Sequence, residues 1–332
     1  MQEIKELLGK KIGELLDNGT VDRVAGWKAG EFCYDVSPAV FTKDTVDELL
    51  YNSFCGANQS KFLVGATAGA PAEGEGKLLA LLKPCDTYSY NQLIKEHRIN
   101  PDRIYALGVP CTGMVDINKL RDLGITGITA VEEEGDTLKV STIYGDTECK
   151  KQDVLLERCM VCKGKKHVAG DEMLIPDEEA PEVPVSADRM AEVAKLEAMT
   201  EEERFDFWRS QLSKCIRCNA CRNACPACTC RTCVFDNANS GVAAKVNTTD
   251  FEENMFHIIR AFHVAGRCTD CGECSRVCPQ NIPLHLLNRK FIKDIDEFYG
   301  EYQAGADTES RGPLISYTKE DCEPSIVMER GE

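Results

Sequence analysis

Apolar residues recur at helical spacing at the start of the chain. Ile4, Leu7, Leu8, Ile12, Leu15 and Leu16 share one face, and Asn18-Gly19 supplies a stop. This predicts a helix over residues 2 to 17, an outer layer of its own domain more than a docking element. Between residues 62 and 145 the pattern becomes an alternation of short apolar runs and helical stretches. Lys61-Phe-Leu-Val-Gly, Leu78-Leu-Ala-Leu-Leu82 and Arg103-Ile-Tyr-Ala-Leu-Gly-Val109 have strand length, whereas Tyr88 to His97 and Ile117 to Leu123 are spaced as helices. Strand, helix, strand in this order predicts a parallel sheet with crossover helices. Ile128 to Val131 and Thr137 to Ile143, on either side of Gly135-Asp136, predict a hairpin added to that sheet.

The pattern then breaks. Residues 170 to 187 mix prolines with acidic residues, the composition of a linker. Thr200-Glu-Glu-Glu203 forms a capping box ahead of Phe205, Trp208 and Leu212, and so predicts a helix. Phe251, Met255, Ile258, Ile259 and Phe262 predict one apolar helical face. After Pro283, residues Leu284, Leu287, Phe291, Ile295 and Phe298 predict another. The expected organisation is an α/β domain over residues 1–169 with a small parallel sheet, and an acidic linker over 170–187. A mainly α-helical domain over 188–300 and an extended acidic tail over 301–332, in need of a surface to order it, follow.

Composition narrows the function classes. A formal charge of −16 argues against a general nucleic-acid binder and against a protein lying on anionic lipid. No apolar run approaches the roughly 18 residues of a membrane span, and no signal-peptide pattern opens the chain, so a cytoplasmic protein is expected. The cysteines carry most of the information. There are 19, and 11 of them fall between Cys215 and Cys278. Thiols this dense in a reducing compartment point to metal rather than disulfides.

Cys215-x-x-Cys218-x-x-Cys221-x-x-x-Cys225-Pro226 is one complete ferredoxin run, and Cys268-x-x-Cys271-x-x-Cys274-x-x-x-Cys278-Pro279 is a second. Three thiolates three residues apart wrap the backbone around a 4Fe-4S cubane, and in two-cluster ferredoxins the last cysteine of each run serves the other cluster. The expected sets are Cys215, Cys218, Cys221 and Cys278 on one cluster, and Cys268, Cys271, Cys274 and Cys225 on the other. Zinc uses paired ligands around one tetrahedral ion and does not call for this spacing. Three further cysteines, Cys228, Cys230 and Cys233, have three open readings: a further metal, replacement of Cys225, or packing as small thiols. Packing is the reading preferred from sequence, because the first run already supplies its ligands.

Lys83-Pro-Cys85-Asp and Val109-Pro-Cys111-Thr-Gly each follow a predicted parallel strand, and such strands end on one edge of a sheet. With Cys159-Met-Val-Cys162 they make Cys85, Cys111, Cys159 and Cys162 the candidate ligands of a third 4Fe-4S cluster, with Cys55 as the substitute. Cys33, Cys149 and Cys322 stand alone and are read as non-ligands, and the histidines form no motif. The glycine-rich stretch from Gly65 to Lys77 matches neither phosphate-binding signature and is read as a surface loop.

Two resemblances emerge from these residues. Gly266-Arg-Cys-Thr-Asp-Cys-Gly-Glu-Cys-Ser-Arg-Val-Cys-Pro279, followed by Ile282-Pro283 and a helix, resembles the helical dicluster domains of heterodisulfide reductase C subunits and succinate dehydrogenase iron–sulfur subunits. Asn52 to Leu63, Lys83-Pro-Cys-Asp86, Gly108-Val-Pro-Cys-Thr-Gly113 and Arg158-Cys-Met-Val-Cys162 are similar to the beta-subunit family of deazaflavin-dependent hydrogenases and formate dehydrogenases. That second resemblance implies FAD, a 4Fe-4S cluster and electron exchange with partner subunits, although the first domain here is short for a full flavin site. The expected function is an iron–sulfur electron-transfer subunit of an anaerobic oxidoreductase, with no catalytic acid–base residue of its own. Its expected partners are catalytic, electron-bifurcating, or hydrogenase or formate dehydrogenase-type subunits. The alternatives are a flavin-containing oxidoreductase with its own soluble coenzyme site, and a metal-stabilised structural scaffold.

Overall fold

The computed structural model describes residues 2–71, 73–181, 183, 185, 187–237, 239 and 250–314. Helix α1 (Gln2–Asp17) ends where Gly19 takes a left-handed φ of 73°, and it buries Ile4, Leu8, Ile12 and Leu15 against the sheet. It is therefore part of the domain's own core. Strands β1 (Val21–Ala29) and β2 (Val36–Thr42) pair antiparallel, and β3 (Leu49–Leu50) adds to β1. None of these three is announced by a clean alternation of apolar and polar residues.

Helix α2 (Ser60–Ala66) corrects the strand expected at Lys61 to Gly65. A short apolar run reads equally well as strand or helix. Here the Asn58 carboxamide oxygen accepts from the Ser60 backbone N–H at 3.1 Å, Leu63 is buried and Phe62 is exposed, which is helical geometry. Strand β4 (Lys77–Leu82), helix α3 (Pro84–Lys95), strand β5 (Ile104–Gly108) and helix α4 (Ile117–Asp122) follow the expected order. Strands β1, β4 and β5 run parallel, with Leu82 opposite Gly108 at the carboxyl edge.

The expected hairpin is present as β6 (Ile128–Glu134) and β7 (Thr137–Thr142), but it does not join the parallel sheet. It forms a separate three-stranded sheet with β8 (Gly145–Lys150), because Leu120, Ile125, Leu138, Val140 and Val154 close a core of their own. After α5 (Glu157–Met160), the short strand β9 (Glu172–Met173) completes the main sheet in the order β2-β1-β4-β5-β9. The fold is a mostly parallel mixed α/β sheet followed by helices.

The second half contains α6 (Ala191–Ala198), α7 (Glu201–Leu212), α8 (Ala220–Asn223), α9 (Asp250–Val264), α10 (Glu273–Arg276) and α11 (Leu284–Tyr299). Thr200 and Glu203 cap α7 reciprocally, as the capping box predicts. The apolar face expected on α9 is mostly not the buried one: Phe251, Ile258 and Phe262 are exposed, whereas Glu253, Phe256, His257, Arg260 and Val264 are buried. On α11 the expected face is largely inside, with Leu284 and Ile295 buried and Leu287 packed on the core; Phe298 is exposed, and His285, Asn288 and Arg289 are buried as well. On α9 the buried Glu253, His257 and Arg260 lie beside run cysteines, which take up charged groups that hydrocarbon would not.

The first part of the acidic tail folds back onto its own α/β domain. Lys95 on α3 donates to Ser310 Oγ at 3.1 Å, and Gly305 (φ 76°) lies so close to the Tyr88 backbone that a side chain would collide. The rest of the tail lies outside the described residues. Among the described residues, no helix is long and apolar enough to cross a membrane.

Candidate metal centres

The two ferredoxin runs fold alike. In each, the residue before the second cysteine and the residue after it take left-handed φ: Arg217 (53°) and Asn219 (62°), then Asp270 (51°) and Gly272 (68°). Such a kink turns successive backbone N–H groups toward one point and builds an anion-binding concavity. Accordingly the Arg217 N–H donates to Cys215 Sγ at 3.3 Å, and the Asp270 N–H donates to Cys268 Sγ at 3.4 Å. A four-residue helix then carries the third cysteine in each case, Cys221 on α8 and Cys274 on α10, and the two short helices pack together.

Burial pushes the run thiols up: Cys215 and Cys268 to about 12, Cys274 to about 11, and Cys221 and Cys271 in the same direction. Their mutual influence shows which lie together. Cys278, Cys218 and Cys225 act on Cys221, while Cys225 acts on Cys268, Cys271 and Cys274. The last cysteine of each run thus stands beside the other run. Buried thiols of this kind ionise when a metal replaces the proton. The donor set and its N–H concavities fit an anionic iron–sulfur group.

Sequence reading missed what surrounds the first run. Glu253 and His257 of α9 are buried beside Cys215, with ligand atoms of all three within 4.8 Å of one another. Burial, together with the Arg260 and Arg217 charges, pushes the His257 imidazole down to about 3. The signal was available: Glu253 and His257 sit four residues apart on a helix that was read for its apolar residues.

In the α/β domain, Cys85 sits in the first turn of α3, directly after β4, and Cys111 follows β5. Because these strands are parallel neighbours, both thiols arrive at the same edge. Cys159 lies on α5 and Cys162 just beyond it, and one enclosed cavity is lined by Cys85, Cys111, Cys159 and Cys162. The Met114 N–H donates to Cys159 Sγ at 3.4 Å. Gly164 lets its loop close on the site, since a Cβ there would stand 2.8 Å from the Cys85 nitrogen. Burial pushes Cys111 up to about 12 and Cys85 in the same direction. Beneath them Lys83 is almost fully buried, donating to the Ala57 carbonyl and pairing with Asp86, both at 2.9 Å, 4.2 Å from the Trp27 ring centroid. Cys55 does not line this cavity. Its Sγ accepts from the Asn52 N–H at 3.2 Å, and burial pushes it up to about 12. Cys33 and Cys149 pack against the small second sheet, and Cys322 lies outside the described residues.

The same cavity also reaches Cys271 and Asp270 of the second run. Arg158 spans the junction. It donates to the Cys271 carbonyl at 2.6 Å, and it also bonds Glu273 and the Gly56 carbonyl. Gly272 has no side chain because Arg158 occupies that space. Lys163 donates to the Thr269 carbonyl, and the Ser89 and Thr269 hydroxyls lie 2.9 Å apart. Arg289 joins Asp270 at 3.0 Å to Glu157 at 2.7 Å. Cys228, Cys230 and Cys233 line a different cavity, between the first run and α9.

Comparison with known proteins finds relatives along most of the chain. The 4Fe-4S dicluster domain family matches residues 211–282. The F420-dependent formate dehydrogenase subunit beta of Methanocaldococcus jannaschii is 25% identical, over 91% of this chain and 92% of its own length. The F420-dependent formate dehydrogenase 1 subunit beta of Methanococcus maripaludis is 26% identical, over 89% of each chain. A putative ferredoxin-3 of Sinorhizobium fredii is 32% identical over 24% of this chain and 75% of its own length. The chain is thus similar along most of its length to F420-dependent formate dehydrogenase beta subunits, and its residues 211–282 match the 4Fe-4S dicluster domain family.

Proposed function

We propose that this chain is the iron–sulfur electron-transfer subunit of a multi-subunit cytoplasmic oxidoreductase of the formate dehydrogenase, hydrogenase or heterodisulfide-reductase-like kind. Iron–sulfur clusters, when bound, supply one-electron redox chemistry. In this reading Cys215, Cys218, Cys221 and Cys278 hold one 4Fe-4S cluster, and Cys268, Cys271, Cys274 and Cys225 a second. Cys85, Cys111, Cys159 and Cys162 hold a third. The residues around them hold, shield and charge these sites. Catalytic and electron-bifurcating partners of the formate dehydrogenase or hydrogenase type belong to the same proposal.

The observation that carries the reading is the cavity at the domain junction. Four cysteines from three separate segments of the α/β domain meet there beside Cys271 of the ferredoxin domain. Arg158, in sequence next to Cys159 and hydrogen-bonded to the Cys271 carbonyl, holds the two sets in register. A structural scaffold has no use for such alignment, whereas a relay between metal sites needs it.

Iron, acid-labile sulfide, zinc and flavin per chain, on protein purified without oxygen, test the proposal. At four irons per cubane, the three sets account for about 12 irons. Replacing Cys111→Ser is expected to remove about four of the irons found in the parent chain. Equal iron in both proteins overturns the third site. Stoichiometric FAD moves the reading to a flavin enzyme with its own coenzyme site, and redox-silent zinc moves it to a scaffold.

A further inference from the structure

The cavity lined by Cys228, Cys230 and Cys233 is not used by the three sites above. Its volume is about 450 Å³, and it lies between the first run, α9 and Lys61 of α2. Small thiols that merely pack are at home among hydrocarbon. Cys228 and Cys233 touch such clusters, but the cavity they share with Cys230 is also lined by cations. Arg222 lies beside Cys233, and Arg260 lies beside Cys228. Lys61 donates to the Cys228 carbonyl at 2.6 Å and lies near Cys228 and Cys230. The lining contains five cationic side chains and one carboxylate, Asp236, in a chain whose net charge is −16. Asp236 is itself paired with Arg222 at 2.6 Å.

A buried group also points to a missing partner. Arg260, which lines the cavity, is only 4% exposed, yet its Nε and Nη1 have no hydrogen-bond partner among the described residues. Burying a cation without partners is costly, and an anionic group in the cavity removes that cost.

We propose that Cys228, Cys230 and Cys233 hold an additional iron–sulfur centre in this cationic cavity. Three thiolates and a sulfide-bridged core carry the negative charge the lining calls for. One corner remains for a non-cysteine ligand or solvent, on the side where Cys230 is exposed. Spacing argues against a single ion. Sulfurs around one tetrahedral zinc, at about 2.3 Å from the metal, lie under about 4 Å apart. Among the described residues, Cys215, Glu253 and His257 are the only ligand triad closed to within 4.8 Å. The three thiols here are more widely set, as are the cysteines of both ferredoxin runs. The Cys228 N–H donates to the Cys225 carbonyl at 3.1 Å, so two cysteines three residues apart would serve neighbouring centres.

The test compares the parent chain with the triple variant Cys228→Ser, Cys230→Ser, Cys233→Ser, both purified without oxygen. The expected result is a loss of about four irons and four sulfides per chain. The electron paramagnetic resonance signals of the two ferredoxin runs should persist, and so should the irons that Cys111→Ser removes. Unchanged iron and sulfide overturns the proposal, as does loss of zinc alone. Loss of the second run's signal assigns Cys228 to that cluster in place of Cys225, and also overturns it. Should the triple variant fail to fold, Cys230→Ser decides, because that thiol is exposed: the same loss of iron supports the centre and an unchanged count overturns it. A parent chain without any iron would instead defeat the electron-transfer reading itself, so the two failures are distinguishable.

Discussion

The two halves of this molecule fill their interiors differently. In the α/β domain, Leu78 to Leu82 of β4 are all fully buried, with Val24, Trp27 and Leu107 around them. That is apolar area removed from water, the ordinary source of folding energy. The helical domain has a smaller apolar cluster of Leu212, Phe235, Phe256, Ile282 and Leu284, and the run thiols Cys221 and Cys274 sit inside it. It also buries Glu253, His257, Arg260, Asn288 and Arg289, and leaves Phe251, Phe262 and Phe298 in solvent. One half rests on a hydrocarbon core built on its sheet, whereas thiols and buried charges share the interior of the other.

The most direct way to break the comparison is to remove the metal. Chelation of iron from the full chain is expected to open residues 205–299 to proteolysis while β1, β4 and β5 stay protected, because two of the three proposed sites lie in the second half, whereas the first half keeps the hydrocarbon core around β4 when its one site is emptied. Mass spectrometry of the fragments reads the result, and equal protection of both halves would sink the comparison. Next in size is the hydrocarbon core. Leu81→Ala, at a fully buried position of β4, should cost about 2–5 kcal/mol in urea unfolding of the first half.

Smaller again is the effect of a buried charge. Arg260 stands near Cys221, Cys225, Cys228 and Cys274. A cation there favours the more negative, reduced state of whatever these thiols hold. Arg260→Gln should therefore lower the reduction potential on the order of 60 mV, a tenfold change in a one-electron equilibrium. A redox titration followed by paramagnetic resonance measures it, and an unchanged or raised potential contradicts the electrostatic role. The smallest expected effect sharpens the contrast from the other side. Phe251→Ser removes a large apolar side chain from α9, yet should change stability by less than about 0.5 kcal/mol, because the ring is 69% exposed. A loss of several kcal/mol would mean that the apolar stripe of α9 is core after all.

The same contrast explains what could be read in advance. The helix at Gln2–Asp17, strands β4 and β5, and the capping box at Thr200 follow from local pattern, because each depends on neighbours in sequence. The short run at Lys61 to Gly65 failed because its length carries no period, and β1 and β2 were missed because their alternation is weak. Helix α11 lies where its period puts it with Leu284 and Ile295 inside, whereas α9 is in place but turned, with Phe251 and Phe262 outside. Periodicity locates an apolar face, and it cannot tell that a neighbouring thiol cluster will compete for the inside.

By itself, the sequence determined the two ferredoxin runs, since ligand spacing along a chain is a local property that a cubane reads directly. It also determined the order of the α/β elements that bring Cys85 and Cys111 to one sheet edge. Only the tertiary structure decided that Cys159 and Cys162 close the same cavity, that Arg158 ties it to Cys271, and that five cations gather around Cys228, Cys230 and Cys233. Those contacts join residues far apart in the chain. Their partners are chosen by packing and by the need to balance buried charge, and neither leaves a period in the sequence.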